Sequence, residues 1–199
     1  MKKIFVAIIF TLSISVLAFS QNLSKQTKAV EVIEKLGGKV EYDENKNVVK
    51  VDLNKTQITD ADLKNLEGLS EIRWLDVRIT QIGDEGVAHL KKLKKLTFLN
   101  LFRTNLTDKG LASLKNLTNL ETLLIGGTKI TDAGLKNIEK FSKLNRLSLF
   151  RTAITDSGLK HLEKLTSLQS LLIAESKVTE EGAKSLQKLL PKLQLTEQT

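Results

Sequence analysis

The residues of this chain that could do chemistry recur at a fixed interval. Asp60, Asp84, Asp108, Asp132 and Asp156, followed by Glu180, stand 24 residues apart, most of them directly after a threonine, as in Ile58-Thr59-Asp60 and Ile154-Thr155-Asp156. A row of carboxylates at steps of about 5 Å could ligate calcium, but that ion takes oxygens converging from one loop rather than lying along a row. Helix capping accounts for the same residues. The threonine caps a helix N-terminus, and the carboxylate sits where the helix dipole favours negative charge. His89 and His161 occupy one position three copies apart, which on stacked strands is on the order of 15 Å or more. They cannot share a metal ion, and an exposed helical surface is their expected place.

Covalent chemistry has little footing. The chain contains no cysteine, no G-x-S-x-G elbow, no phosphate-cradling glycine loop and no H-E-x-x-H pair. No enzyme activity, cofactor or metal is expected, and a rival catalytic reading has only Asp52 and Asp76 as carboxylates on the face where binding residues collect. Those binding residues are Trp74, Arg78, Phe98, Phe102, Arg103, Arg146, Phe150 and Arg151. Aromatic residues and arginine are the types concentrated at the energetic centres of interfaces.

A repeat positions all of these side chains. Val51, Leu75, Leu99, Leu123, Leu147 and Leu171 form one column, and Leu53, Val77, Leu101, Ile125, Leu149 and Ile173 the next but one, the alternation of a short strand. Downstream, Leu63, Val87, Leu111, Leu135, Leu159 and Ala183 are followed three and six residues later by further apolar columns, which reads as helix. Each copy is therefore strand, turn, helix. One copy cannot bury its apolar face alone, so the copies must stack. The glycines at 86, 110, 134, 158 and 182 are expected to let each helix start pack closely on its neighbour; Asp62 stands in that column in the first copy.

This pattern resembles the leucine-rich repeats, written L-x-x-L-x-L-x-x-N, and is most similar to a bacterial branch reading L-x-x-L-x-L-x-x-T-x-I-T-D-x-G-L. The asparagine column here is Thr56, Thr80, Thr104, Thr128 and Thr152, then Ser176. A hydroxyl both donates and accepts, so a structural ladder bonding the turn backbone is expected. The resemblance implies an α/β fold: a right-handed horseshoe solenoid of the ribonuclease-inhibitor kind, with parallel strands on the concave face and helices on the convex face, used to bind other molecules. The leucine-rich half of F-box proteins is built similarly, but no F-box segment stands here.

Residues 1–20 differ in kind: Lys2 and Lys3, an apolar run from Ile4 to Leu17, then Ala18-Phe19-Ser20. They read as a secretory signal peptide cut after Ser20, implying export to the periplasm or the medium and no transmembrane segment after cleavage. Residues 21–47 are expected to form a capping helix, with Ala29, Val30, Ile33 and Leu36 in one stripe stopped by Gly37-Gly38, and a hairpin that hides the first strand's edge. Six repeats fill 48–191, and 192–199 hold a closing strand and tail.

Charge and the inner-face columns complete the reading. Removing Lys2 and Lys3 from 31 basic residues against 23 acidic leaves a net +6, mostly lysines of the helical side, read as a solvated face rather than a patch for anionic envelope polymers. Nucleic acid is not an expected partner. Phe102-Arg103 and Phe150-Arg151 flank Gly126-Gly127, two aromatic and basic walls around a notch without side chains, while Asp52, Asp76 and Asn100 would make the other end acidic. The expected function is a non-catalytic module holding a protein or peptide on the concave face. The alternative is a carbohydrate or envelope-polymer binder stacking sugar rings on Trp74 and Phe98.

Overall fold

The computed structural model describes residues 23–196, so the leader at 1–20 and the last residues of the tail lie outside the described residues. A helix, α1, covers residues 23–35. Its end is closed by Gly38 N–H donating to Ile33 O and Gly37 N–H donating to Glu34 O, with Gly37 at φ +81°, a left-handed stop that glycine takes without strain. A Cβ on Gly38 would lie 2.7 Å from Leu53 Cδ2, so the helix end seats directly on the first repeat. Ala29 and Ile33 join the core there, with Val30 and Leu36 packed against it.

The chain then forms an antiparallel hairpin, β1 (Lys39–Tyr42) and β2 (Val48–Asp52). From β2 onward every pairing is parallel and in sequence order: β3 (Trp74–Asp76), β4 (Phe98–Asn100), β5 (Thr122–Leu124), β6 (Arg146–Ser148), β7 (Ser170–Leu172) and β8 (Gln194–Thr196). Trp74 stands opposite Phe98 and Leu99 opposite Leu123, so the repeat interval is also the strand register. The chain is an α/β solenoid with its sheet on the concave side.

The opposite side carries α2 (Asp60–Leu63), α3 (Asp84–Ala88), α4 (Asp108–Ser113), α5 (Asp132–Leu135), α6 (Asp156–Leu159) and α7 (Glu180–Leu189). Most are a single turn continued by a 3₁₀ segment, such as Lys64–Gly68 after α2. The apolar spacing explains this departure from full α-helices. Leu63, Leu66 and Leu69 are three residues apart, the period of a 3₁₀-helix, and all three are buried. Phe141 replaces leucine in that last column and is fully buried.

Where the helices start, the carboxylates do more than face the helix dipole. Asp84 accepts from Thr107 of the next repeat twice, Oδ1 from the backbone N–H at 2.8 Å and Oδ2 from the hydroxyl at 2.6 Å. Asp108 holds Thr131, Asp132 holds Thr155 and Asp156 holds Thr179 in the same way. Each carboxylate thus braces the next helix start, and its oxygens are spent there. A Cβ on Gly110, Gly134, Gly158 or Gly182 would fall within contact distance of the preceding repeat's carboxylate, so these glycines make room for the brace. Asp62 stands where no earlier carboxylate arrives, and its Oδ2 accepts from both the N–H and the hydroxyl of Thr59.

The threonine column does not ladder between repeats. Thr56, Thr80, Thr104, Thr128 and Thr152 each donate to the carbonyl three residues back in their own turn. Backbone amides make the inter-repeat bonds, for example Arg103 N–H to Gly126 O.

Candidate binding surface on the inner sheet face

Four rows of side chains cross the sheet in register. The first runs Lys50, Trp74, Phe98, Thr122, Arg146, Ser170. Trp74 and Phe98 stack with ring centroids 4.8 Å apart and 7° between planes, and Lys50 Nζ lies 4.7 Å from the Trp74 ring centre. Lys50 and Phe98 approach from strands on opposite sides of β3, so both faces of the indole are covered. Only the Phe98 face above Thr122 is left for a further ring.

The second row is Asp52, Asp76, Asn100, Leu124, Ser148, Leu172. Its polar members end their strands: Asp52, Asp76 and Asn100 side chains accept the N–H two residues on, from Asn54, Arg78 and Phe102. Asp76 also accepts from Asn100 Nδ2 at 3.1 Å, and Arg78 Nε is 3.5 Å away. Burial pushes the Asp76 carboxyl above its usual range, against the opposing pull of Arg78. Asp76 is 3% exposed and Asn100 2%, so the expected acidic end of the face is mostly consumed inside it.

In the third row Phe102 and Phe150 stand two strands apart, about 9.6 Å at the backbone, yet their ring centroids are 6.2 Å apart. The rings lean together over Gly126, where a Cβ would lie 2.9 Å from Phe150 O and 3.2 Å from Phe102 Cδ2. The expected open notch at Gly126 is therefore bridged. The physical reason is apolar contact: with no side chain between them, two exposed rings bury each other, leaving Phe150 only 9% exposed. Phe102 and Phe150 wall a hollow of about 430 Å³ with Leu124 and Leu172 among its apolar lining and Arg78 and Arg146 among its charged residues. Leu124, Ser148 and Leu172 belong to this site although their residue types did not single them out; their inward row position was the available signal.

The fourth row, Lys55, Ile79, Arg103, Gly127, Arg151, Glu175, is left-handed throughout, with φ between 51° and 65°. Five of the six are not glycine, and Ile79 is β-branched, so the conformation is imposed rather than preferred. Inter-repeat hydrogen bonds impose it: each of the first five donates its N–H to the carbonyl one repeat on. Arg103 and Arg151 consequently line a second, separate pocket beyond the bridged phenylalanines. Arg103 Cζ is 5.1 Å from the Phe102 ring centre, and Arg151 Nε is 3.0 Å from Glu175 Oε2. The eight expected contact residues thus divide into a stack (Trp74, Phe98), a hollow (Arg78, Phe102, Arg146, Phe150) and a rim (Arg103, Arg151).

On the helical side, the histidines are not free surface groups. His89 Nδ1 is 2.6 Å from Glu67 Oε1 and His161 Nδ1 2.6 Å from Glu139 Oε1, each tied to the preceding repeat. No group of three or more His, Cys, Asp or Glu side chains converges on a metal position among the described residues. No helix among them is long and apolar enough to cross a membrane.

A family model described as Leucine Rich repeat matches residues 92–115 and 116–138. No curated protein sequence matches the chain. Among solved structures, an internalin (inlF) of Listeria monocytogenes superposes with TM-score 0.55 at 22% identity, over 87% of this chain and 54% of that one. Internalin C2 of the same organism gives 0.55 at 24% identity, over 75% and 72%. The Arabidopsis receptor kinase HAESA ectodomain, in complex with a peptide hormone ligand, gives 0.64 at 20% identity, over 88% of this chain and 33% of that one. The chain thus spans about half of the first internalin and a third of the receptor ectodomain. With the family match on two successive repeats, the parallel ladder continued on either side of them, and these superpositions, the chain has the leucine-rich-repeat solenoid fold.

Proposed function

We propose that this solenoid is a non-catalytic binding module, exported to the periplasm or the medium, that holds a protein or peptide partner on its inner sheet face. The observation that carries the reading is the hollow between the phenylalanine pair and Arg146: Phe102, Leu124 and Leu172 remain partly exposed there on a face the core does not need. Apolar surface of this kind, rimmed by guanidinium groups, suits an apolar side chain with acidic neighbours. The peptide-bound receptor ectodomain is one use of the same architecture. Export rests on the character of residues 1–20.

Panning a random peptide display library on the purified chain tests this. The selected peptides should carry an apolar residue flanked by Asp or Glu, and their affinity should fall about tenfold or more in R78E/R146E. Peptides that bind wild type and variant equally would remove the inner face from the proposal. A sugar ring stacking on the free face of Phe98 is the second reading. Its binding would survive high salt, whereas acidic peptides would be weakened.

A further inference from the structure

The rim pocket beyond the phenylalanine bridge belongs to neither the hollow nor the stack. It encloses about 410 Å³ and is lined by Arg103, Lys129 and Arg151 together with Gly127, Thr104 and Thr128. Three cations therefore meet around one glycine. The left-handed row explains why. Arg103 and Arg151 leave successive odd positions of that row two strands apart, about 9.6 Å at the backbone, and between them Gly127 contributes no side chain. A Cβ on Gly127 would lie 2.9 Å from Arg103 Cγ, so the Arg103 stem already lies across the vacant position.

The two guanidinium groups are held rather than waving. Arg103 rests on the Phe102 ring, and Arg151 is held by Glu175 at 3.0 Å. Arg103 and Lys129 have no carboxylate within ion-pairing distance among the described residues. Orienting a guanidinium in advance lowers the ordering cost of binding an anion. Glu175 also shows what chemistry the pocket takes, because a carboxylate already sits on one of its three cations.

We propose that this rim pocket is a carboxylate subsite, taking an acidic side chain of the polypeptide whose apolar residue occupies the hollow; it rests on the reading of the inner face as a peptide-binding surface. The anion lies between the two guanidinium groups, on the outer side of the Arg103 stem that crosses Gly127, with Lys129 completing the charge, and Glu175 competes with it for Arg151. The competition separates this assignment from a merely solvated basic rim: removing Glu175 strengthens binding.

The test is an NMR titration of the ¹⁵N-labelled chain with the blocked tripeptide acetyl-Glu-Gly-Glu-amide, its Gln-Gly-Gln counterpart, and acetyl-Leu-Phe-amide. The acidic probe at millimolar concentration should shift the amides of Gly127, Thr128 and Lys129 and the Arg103 and Arg151 side-chain N–H signals, while the Gln probe leaves them in place. Affinity should fall about tenfold in R103Q/R151Q and rise several-fold in E175Q. In G127N, whose side chain tolerates the left-handed backbone and pushes the Arg103 stem aside, the rim shifts should vanish with the signals of the hollow and the core preserved. Unshifted rim amides, or an E175Q variant that binds no better than wild type, would overturn the subsite. The apolar probe reports on the hollow alone through Leu124, Ser148 and Leu172, so silence there with a responding rim would sink the peptide reading while leaving an anion site standing.

Discussion

The helix-start edge and the inner sheet face are built from the same repeat, yet they behave oppositely along the chain. At the helix starts, Asp84, Asp108, Asp132 and Asp156 repeat one arrangement, each bracing the next threonine across a glycine. On the inner face the first row alone runs Lys50, Trp74, Phe98, Thr122, Arg146, Ser170, with no residue type used twice. Uniformity marks positions whose surroundings are supplied by the stack itself. Variety marks positions whose surroundings lie outside it. The contrast ties the columns to stability and is what the proposed recognition by the rows requires, and it can be broken by substitution.

The largest effect should fall on a column. Phe141 is fully buried where its counterparts are leucine, and Phe141→Ala leaves a cavity inside the stack. A loss of about 3–5 kcal/mol in denaturant unfolding is expected. Phe150 tests the boundary, since it sits in an inner-face row but is only 9% exposed through its contact with Phe102. Phe150→Ala should cost about 2 kcal/mol, less than Phe141 because one side of the ring faces the hollow. A cost near zero would return Phe150 to the freely exposed contacts; a cost equal to that of Phe141 would make the bridge part of the core.

The helix-start brace makes a sharper prediction through its sign. In Gly158→Ala the new methyl meets Asp132 and displaces it from Thr155, so the variant should lose about 1 kcal/mol although alanine is the better helix former. In an Asp132→Ala background the carboxylate is gone and only Ile154 Cγ2, at 3.1 Å, has to give slightly, so the same Gly158→Ala change should gain up to about 1 kcal/mol. A double-mutant cycle by thermal unfolding reads the reversal. Equal effects in both backgrounds would show that the glycine column serves something other than the brace.

The columns were legible in the sequence because their cause is local and periodic: Val51 to Leu171 must be strand, Leu63 and Leu66 must be buried, and the interval sets the register. The helices came out shorter than their pattern suggested, because spacing by three satisfies a 3₁₀ turn as well as an α-helix. What the sequence withheld depends on two repeats at once. Phe102 and Phe150 are 48 residues apart, and only the stack reveals that they close over Gly126. The two bonds of each bracing Asp to the following repeat's threonine were hidden for the same reason, as were the glutamates holding His89 and His161. Asp76 looked like an exposed charge by alternation, but an Asx turn and Asn100 draw it inside.

Two carboxylates give the comparison its finest test, because Glu67 on the helical side and Asp76 on the inner face respond to acid in opposite directions. On the helical side, Lys92 and His89 hold the Glu67 carboxyl at about 2, well below its ordinary 4.5. A carboxyl depressed by folding stabilises the fold fully above its unfolded value, and that contribution is lost as pH falls from about 4.5 towards 2. Asp156, held low by the Thr179 hydroxyl and N–H, adds to the same slope below its ordinary 3.8. Asp76 on the inner face is raised by burial, so the folded state binds its proton more tightly than the unfolded chain does. Its contribution therefore runs the other way, and stability is gained as pH falls through the raised value towards 3.8. Urea unfolding followed from neutral pH downward should thus show Lys92→Met with a weaker acid loss than wild type, because Glu67 then titrates nearer 4.5. Asp76→Asn should show a stronger net loss, because its opposing contribution is gone. Identical pH profiles for Asp76→Asn and wild type would mean that the inner-face carboxylate titrates as freely as a surface one. The inner rows would then be less enclosed than the hydrogen bonds of Asp76 and Asn100 require.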